Sequence, residues 1–445
     1  MKKTILPILF VFVIVSLATA VPSEGQEATP TPVEVHPSQN LVSKAAEAFQ
    51  QGDARRSLAL FTSASDKHAD LPPGQVMFAR LAFAAGETKA GRQALEIAAL
   101  EKPDDPEVWN MLADLAFREG RLAESELLFQ QALSKCQQYD ANQQRREKQT
   151  INAHAGLSSV YQNRQQWEPA KTHLRAWLDL DQRNSLVWLR LAGVFFQLEK
   201  YDVAEETLQN LRSFDSAQPV PEVLMGQLFQ AAGKTAEAKD RMLQAIADHG
   251  EDLETRIAVA RWAMAAGEQS ILRQCVEAAN EIDPDSDAVD VLQGMIQRFA
   301  GDHEAAEEIF AELHQRNPAS FDAINGLALS MLSQDEPEKL RRGSQHAEML
   351  VKSHPDRKTA KGRAATATYA WALHRNGQTD AAENVIRQVI ASGEVSPEVG
   401  YFAAAIFETA GELDAARQLV RAAIDSQTAF PQRQQAQALL QRLSD

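Results

Sequence analysis

Short apolar stripes at helical spacing recur along the chain, and they come in pairs. Within residues 106–139, Trp109, Leu112, Ala113 and Ala116 mark one face of a first helix. Ser125, Phe129 and Ala132 mark one face of a second. Trp188, Leu191, Ala192 and Phe195, followed by Ala204 and Leu208, repeat the arrangement. A glycine recurs between the two helices at a fixed step. Gly52, Gly86 and Gly120 lie 34 residues apart, as do Gly233, Gly267 and Gly301, and again Gly377 and Gly411. A reversal between two short helices needs a positive φ, which glycine adopts without a Cβ clash. A fixed period of this size predicts a repeat protein built of helix–turn–helix units.

Counting by this period starts units near residues 38, 72 and 106. The step from Gly120 to Gly233 exceeds three periods by 11 residues, and the polar stretch 140–150 fits the excess. Units then start near 151, 185, 219, 253, 287 and 321. The step from Gly301 to Gly377 exceeds two periods by 8, and units resume near 363 and 397. Three units thus fall in 38–139, six in 151–354 and two in 355–430. Small residues such as Ala113, Ala192, Gly226, Ala260 and Gly294 let helices approach. Bulky ones such as Phe129, Leu208, Met242, Val276 and Phe310 fill the seam. In 431–445, Ala436, Leu439, Leu440 and Leu443 share one stripe and glutamines cover the rest, as expected of a capping helix.

The order within a unit is an aromatic, then Leu and a small residue three and four later, then a small and a large residue four apart. In this the chain resembles the tetratricopeptide repeat family. Pro103, Pro284, Pro318 and Pro355 take the closing position. The resemblance covers roughly residues 38–430. It implies an all-α, right-handed superhelical solenoid of about eleven two-helix units, whose first helices line a concave groove for protein or peptide partners. The fifth, ninth and twelfth residues of each unit would face that groove. In the earlier units they include Val76, Arg80 and Phe83; Asn110, Asp114 and Phe117; Ser159 and Gln162; Leu189 and Phe196. In the later units they include Val223 and Gln227; Ile257, Arg261 and Met264; Val291, Met295 and Arg298. Apolar groove residues of this kind mark recognition surfaces. The alternative is that a tight superhelix packs them against adjacent first helices. The paired Lys and Asn with which some members clamp a C-terminal carboxylate are missing.

The amino terminus differs from the rest. Lys2 and Lys3 precede an apolar run from Ile5 to Val15, and Ala18-Thr19-Ala20 supplies small residues at a cleavage position. Residues 1–20 therefore read as a secretory signal peptide. A retained anchor is the alternative, since spanning a bilayer takes about 20 apolar residues. Residues 21–37, with Pro22, Pro30, Pro32 and Pro37, read as a disordered linker. The expected location is outside the cytoplasm, the periplasm first, with membrane contact only if the signal segment stays uncleaved.

The formal charge of −16 on 445 residues argues against nucleic acid as a partner, because that affinity comes from cations placed on phosphates. Cys136 and Cys275 are about four units apart, too far for one disulfide. Gly233-Lys234-Thr235 resembles the tail of a phosphate-binding loop, but Leu228 stands where the earlier glycine is required. His303 and Glu307 lie one helical turn apart and lack the second histidine of a zinc-protease helix. No catalytic constellation is legible, so the chain reads as a non-enzyme without cofactor, metal or small-molecule substrate. Lys352, His354, Arg357, Lys358, Lys361 and Arg363 form a basic stretch at the second phase slip. It reads as a solvated loop, or else as a dock for an acidic partner. The function expected is an exported protein-interaction scaffold. The rivals are a chaperone or assembly accessory for envelope proteins and a subunit of a secretion or polysaccharide-export complex.

Overall fold

Amphipathic helices of this length cannot bury an apolar face alone and are stable only when stacked. The computed structural model describes residues 39–444 apart from 69 and 394. Segments 1–20 and 21–37, expected as signal peptide and linker, lie outside the described residues. Every regular element among the described residues is an α-helix.

Two compact bodies divide the chain, one within residues 1–216 and one within 217–445. In the first, α1 (Gln39–Gln50) pairs with α2 (Ala54–Lys67), and α3 (Gly74–Ala84) with α4 (Thr88–Glu101). Next, α5 (Pro106–Arg118) pairs with α6 (Leu122–Gln138), α7 (Gln143–Asn163) with α8 (Trp167–Leu180), and α9 (Ser185–Gln197) with α10 (Tyr201–Phe214). In the second, α11 (Pro221–Ala231) pairs with α12 (Thr235–His249), and α13 (Leu253–Ala266) with α14 (Gln269–Ile282). Then α15 (Asp287–Ala300) pairs with α16 (His303–Arg316), and α17 (Phe321–Leu332) with α18 (Pro337–Ser353). Last come α19 (Ala360–Arg375) with α20 (Thr379–Ile390), α21 (Pro397–Ala410) with α22 (Leu413–Asp425), and the single helix α23 (Arg433–Arg442). The architecture is an all-α repeat solenoid. None of the described helices is long and apolar enough to cross a membrane.

The glycine ladder sits where its chemistry requires. All eight rungs have φ between +73° and +83°. Three of the eleven turns lack the glycine; Gln165 and Glu199 fill two of them, each at φ +58°, while the α17–α18 turn, residues 333–336, has no positive φ. The left-handed turn therefore persists at two of the three positions without glycine. A second device fixes the entry to the first helix. The Trp109 indole donates to the Pro103 carbonyl at 2.8 Å, and Trp188 donates to the Gln182 carbonyl at 2.9 Å. Side-chain caps from Asp105, Asn184 and Asp252 satisfy free amides at the same entry point.

The seams follow the small-against-large rule. Phe129, Leu208, Met242, Val276 and Phe310 are all at most 3% exposed. Phe310 lies between two first helices, and a Cβ at Gly294 or Gly326 would stand 2.6 or 2.5 Å from its ring. Cys136 and Cys275 are buried and unpaired.

The first phase slip is resolved by lengthening a helix, the second by a longer helix and a longer loop. The stretch 140–150, expected as an insertion ahead of a unit starting at 151, is mostly helix, because α7 begins at Gln143 and runs for 21 residues. Its added turns place Arg145 and Gln149, one turn apart, against α5. The second excess is shared between the 17-residue α18 and the loop before α19. The cap starts at Arg433, two residues past Pro431, and buries Ala436 and Leu439.

Candidate interaction surface

First helices of the first body carry two kinds of polar residue on the face away from their partners. One kind binds neighbouring pairs together. Glu107, only 2% exposed, accepts from Arg145 Nε and Nη2 at 3.3 and 3.1 Å and is ion-paired with Arg80 from the preceding pair. Arg145 also donates to Asp105 at 2.8 Å and to the Tyr139 hydroxyl at 2.5 Å. Burial raises the Asp105 pKa against the opposing pull of Arg145, and burial lowers that of Arg80. Asn110 donates to both the backbone and side-chain oxygens of Gln149 at 2.9 Å. Arg80 and Asn110 were expected in an open groove, but they are joints between repeats.

The other kind is represented by Arg190 on α9. It is 9% exposed, yet all its hydrogen-bond acceptors are neutral. Nε donates to Gln162 Oε1 at 3.0 Å, and Nη2 donates to the Ser158 and Ser159 hydroxyls at 2.8 and 3.0 Å. Its guanidinium carbon stands 5.7 Å from the centre of the Trp177 ring. With desolvation unopposed by a carboxylate, its pKa falls to about 10. This is a fixed cation without a counter-ion among the described residues. Around it, Ser159, Gln162 and Leu189 are half-buried. On the preceding pairs Phe83 and Phe117 are half-buried and Asp114 is exposed.

Between α7 and α8, His154 and His173 meet through their Nδ1 atoms at 2.9 Å. Burial, then His173, brings His154 down to about 4, and burial lowers His173. Tyr161 stacks on His173 at 5.5 Å and donates to Glu126 at 2.8 Å.

The second body treats the same positions differently. Val223 and Ile257 are fully packed, at 0 and 2% exposure. Arg298 is 3% exposed, and its Nη2 donates to Glu398 on α21 at 2.6 Å, across 100 residues of sequence. Gln227, Met264, Val291 and Met295 are half-buried, and Arg261 is exposed. Further on, the Ala429 amide donates to the Ala265 carbonyl at 2.7 Å.

Six of the expected groove residues are therefore core: Val76, Asn110, Phe196, Val223, Ile257 and Arg298. The packing alternative accounts for them, since neighbouring first helices approach closely enough to exclude solvent. Arg190, Arg145 and Glu398 were not anticipated. The 11-residue slip carried a signal for Arg145; no local pattern marks Glu398. Glu307, weighed as a metal partner for His303, is engaged by Gln334 at 2.8 Å and Lys339 at 3.1 Å. Among the described residues no three His, Cys, Asp or Glu side chains gather as a metal site. Of the basic stretch, Arg357, Lys358 and Lys361 are exposed, Lys361 lying over the Phe321 ring, while Lys352 pairs with Glu348.

Tetratricopeptide repeat family models match residues 48–115 and residues 368–433. No curated protein matches the chain. Solved structures similar to it include yeast Tom70, at 13% identity and a TM-score of 0.38, covering 92% of this chain and 95% of that one. A tetratricopeptide repeat protein from Parabacteroides merdae shows 15% identity and a TM-score of 0.41, over 67% of this chain and all of that one. Naa15/Naa10 bound to HypK shows 13% identity and a TM-score of 0.31, over 87% of this chain and 63% of that one. Tetratricopeptide repeats are thus matched near both ends of an all-helical repeat solenoid.

Proposed function

We propose that the chain is a protein-interaction scaffold that receives its partner on the first-helix face of the first body. The observation that carries this is Arg190: a nearly buried cation, held by Gln162 and two serines, with no acid to meet it. A buried cation without an acid costs stability, and a carboxylate brought by a ligand would offset that cost. Phe83, Phe117 and Leu189 offer apolar surface on the same series of helices. The partner is then a protein segment with apolar side chains and an acidic group. Because the helices are ordered beforehand, little conformational entropy is lost on binding.

The test separates recognition from folding. Proteins crosslinked to the intact chain in its own cells are compared with those captured by Phe83→Ser/Phe117→Ser and by Arg190→Met. The expected result is loss of the same crosslinked species in both variants, with the melting temperature of Arg190→Met unchanged or raised. An unchanged partner set would remove the reading. Work outside the cytoplasm is part of the proposal, supported by the Lys2-Lys3, Ile5–Val15 and Ala18-Thr19-Ala20 pattern. It predicts a cellular protein whose first residue is Val21, read by mass spectrometry of the amino-terminal peptide.

A further inference from the structure

Two contacts inside the second body ignore the repeat order. Helix α15 packs on α14, on α16 and on the first helices either side of it, and α21 packs on α19, α20, α22 and α23. Yet Arg298, near the end of α15, reaches Glu398, in the first turn of α21, three pairs further along. The Ala429 amide, between α22 and α23, reaches the Ala265 carbonyl at the end of α13. That carbonyl is one of the last of its helix, where no intrahelical donor remains. The polar segment before Phe430 thus caps a helix four pairs upstream.

We propose that these contacts form a latch, which holds the second body closed on its own first-helix face and can open while the repeats stay folded. Three observations support a latch over a piece of core. First, the apolar cluster that contains Phe430 runs from α17 to α23 and includes no residue of α13 or α15, so the closing contacts are polar. Second, Arg298 is incompletely satisfied. Glu398 is its one carboxylate, Nη1 reaches only the Met295 sulfur at 3.5 Å, and Nε is buried with no partner. A buried guanidinium held by a single acid gains little over its hydrated form. Third, Met264, Val291 and Met295, on the two helices that the latch engages, are apolar and only half-buried. They would be uncovered when it opens. The latch makes no use of Arg190 or the first body.

The experiment uses the full chain alone. Glu398→Gln removes the acid and strands Arg298, so the closed form must open to hydrate it. Hydrogen exchange is expected to accelerate about tenfold or more in peptides covering 262–268 and 426–432, with α17 to α20 as protected as in the parent. A double change, Arg298→Met with Glu398→Leu, should restore slow exchange, because an apolar pair needs no counter-charge. The closed geometry has its own check. A Cβ at Gly267 would lie 3.8 Å from that of Ala429, within disulfide range. Gly267→Cys with Ala429→Cys should therefore crosslink under mild oxidation and abolish the acceleration caused by Glu398→Gln. Unchanged exchange in Glu398→Gln would overturn the proposal, and so would failure of the cysteines to join. Uniform acceleration through every helix from α11 to α23 would do so too, since the pair would then hold the fold itself.

Discussion

The two bodies use one repeat, and the second adds contacts that the first does not show. In the first, polar side chains on first helices reach one neighbour along the stack: Arg80 to Glu107, Arg145 to Asp105, Arg190 to Gln162. In the second, such neighbour contacts recur, Trp262 to Gln230 and Thr368 to Asn325, but the Arg298 side chain also reaches across the stack to Glu398, and the backbone amide of Ala429 reaches the Ala265 carbonyl. Arg190 and Arg298 make the contrast sharpest. Both are nearly buried arginines on first helices. One has only neutral acceptors among the described residues; the other is ion-paired within the chain. The lesson is that the repeat sets where such residues can stand, while the contacts each one makes depend on which side chains lie opposite it.

The largest effect that tests this contrast is expected at the joint of the first body. Glu107→Ala leaves Arg145 buried with Asp105 alone and releases Arg80. Breaking a buried pair costs about 3–5 kcal/mol, and the remaining Asp105 places this case near 3 kcal/mol. Chemical denaturation measures the loss, and hydrogen exchange should assign it to α3, α5 and α7. If exchange accelerates equally in α13 to α23, contacts along the stack do not belong to the first body alone.

A smaller effect comes from pH. The His154 pKa stands at about 4 in the folded chain against an ordinary value of 6.5, so the unfolded chain binds more protons between those values. The associated stability is fully present above pH 6.5 and is lost as pH falls towards 4. Partial exposure reduces the effect to roughly 1–2 kcal/mol. The opposing groups are Glu126 from α6, which favours the charged form of His173, and the stacked Tyr161 on α7. His154→Gln should flatten the decline between pH 6.5 and 4 in thermal melts. A decline of the same slope in that variant would assign the acid sensitivity elsewhere.

Much of the fold was legible because it is local. Turn glycines, closing prolines and alternating small and bulky positions are repeated many times, so each unit testifies for the others. Pro103, Pro284, Pro318 and Pro355 each follow a helix end by two residues. The candidate surface was less legible. Unit positions five, nine and twelve say that a residue faces inward, but not whether a neighbour already fills the space. Val76 and Val223 are packed, whereas Leu189, at the same place in its unit, is half-buried. Glu398 was invisible for a stronger reason. Its partner is 100 residues away, and nothing in the period encodes a contact that skips three pairs.

The smallest effect is also the most direct reading of the ladder. In the second body every left-handed ladder turn among the described residues carries glycine, and the α17–α18 turn has no positive φ, whereas two turns of the first body carry Gln165 and Glu199 at φ +58°. A side chain in the left-handed region is held there against a Cβ–carbonyl clash that glycine lacks. Gln165→Gly and Glu199→Gly should each stabilise the first body by about 0.5–1 kcal/mol, the clash relieved exceeding the entropy added to the unfolded chain. The reverse change at an equivalent turn, Gly233→Gln, should destabilise by a similar amount, since a Cβ there meets nothing within 4 Å and only the backbone opposes it. Denaturation midpoints of the three variants decide the matter. If the glycine substitutions destabilise, Gln165 and Glu199 contribute contacts that outweigh their backbone strain, and the first body tolerates broken rungs because it compensates for them.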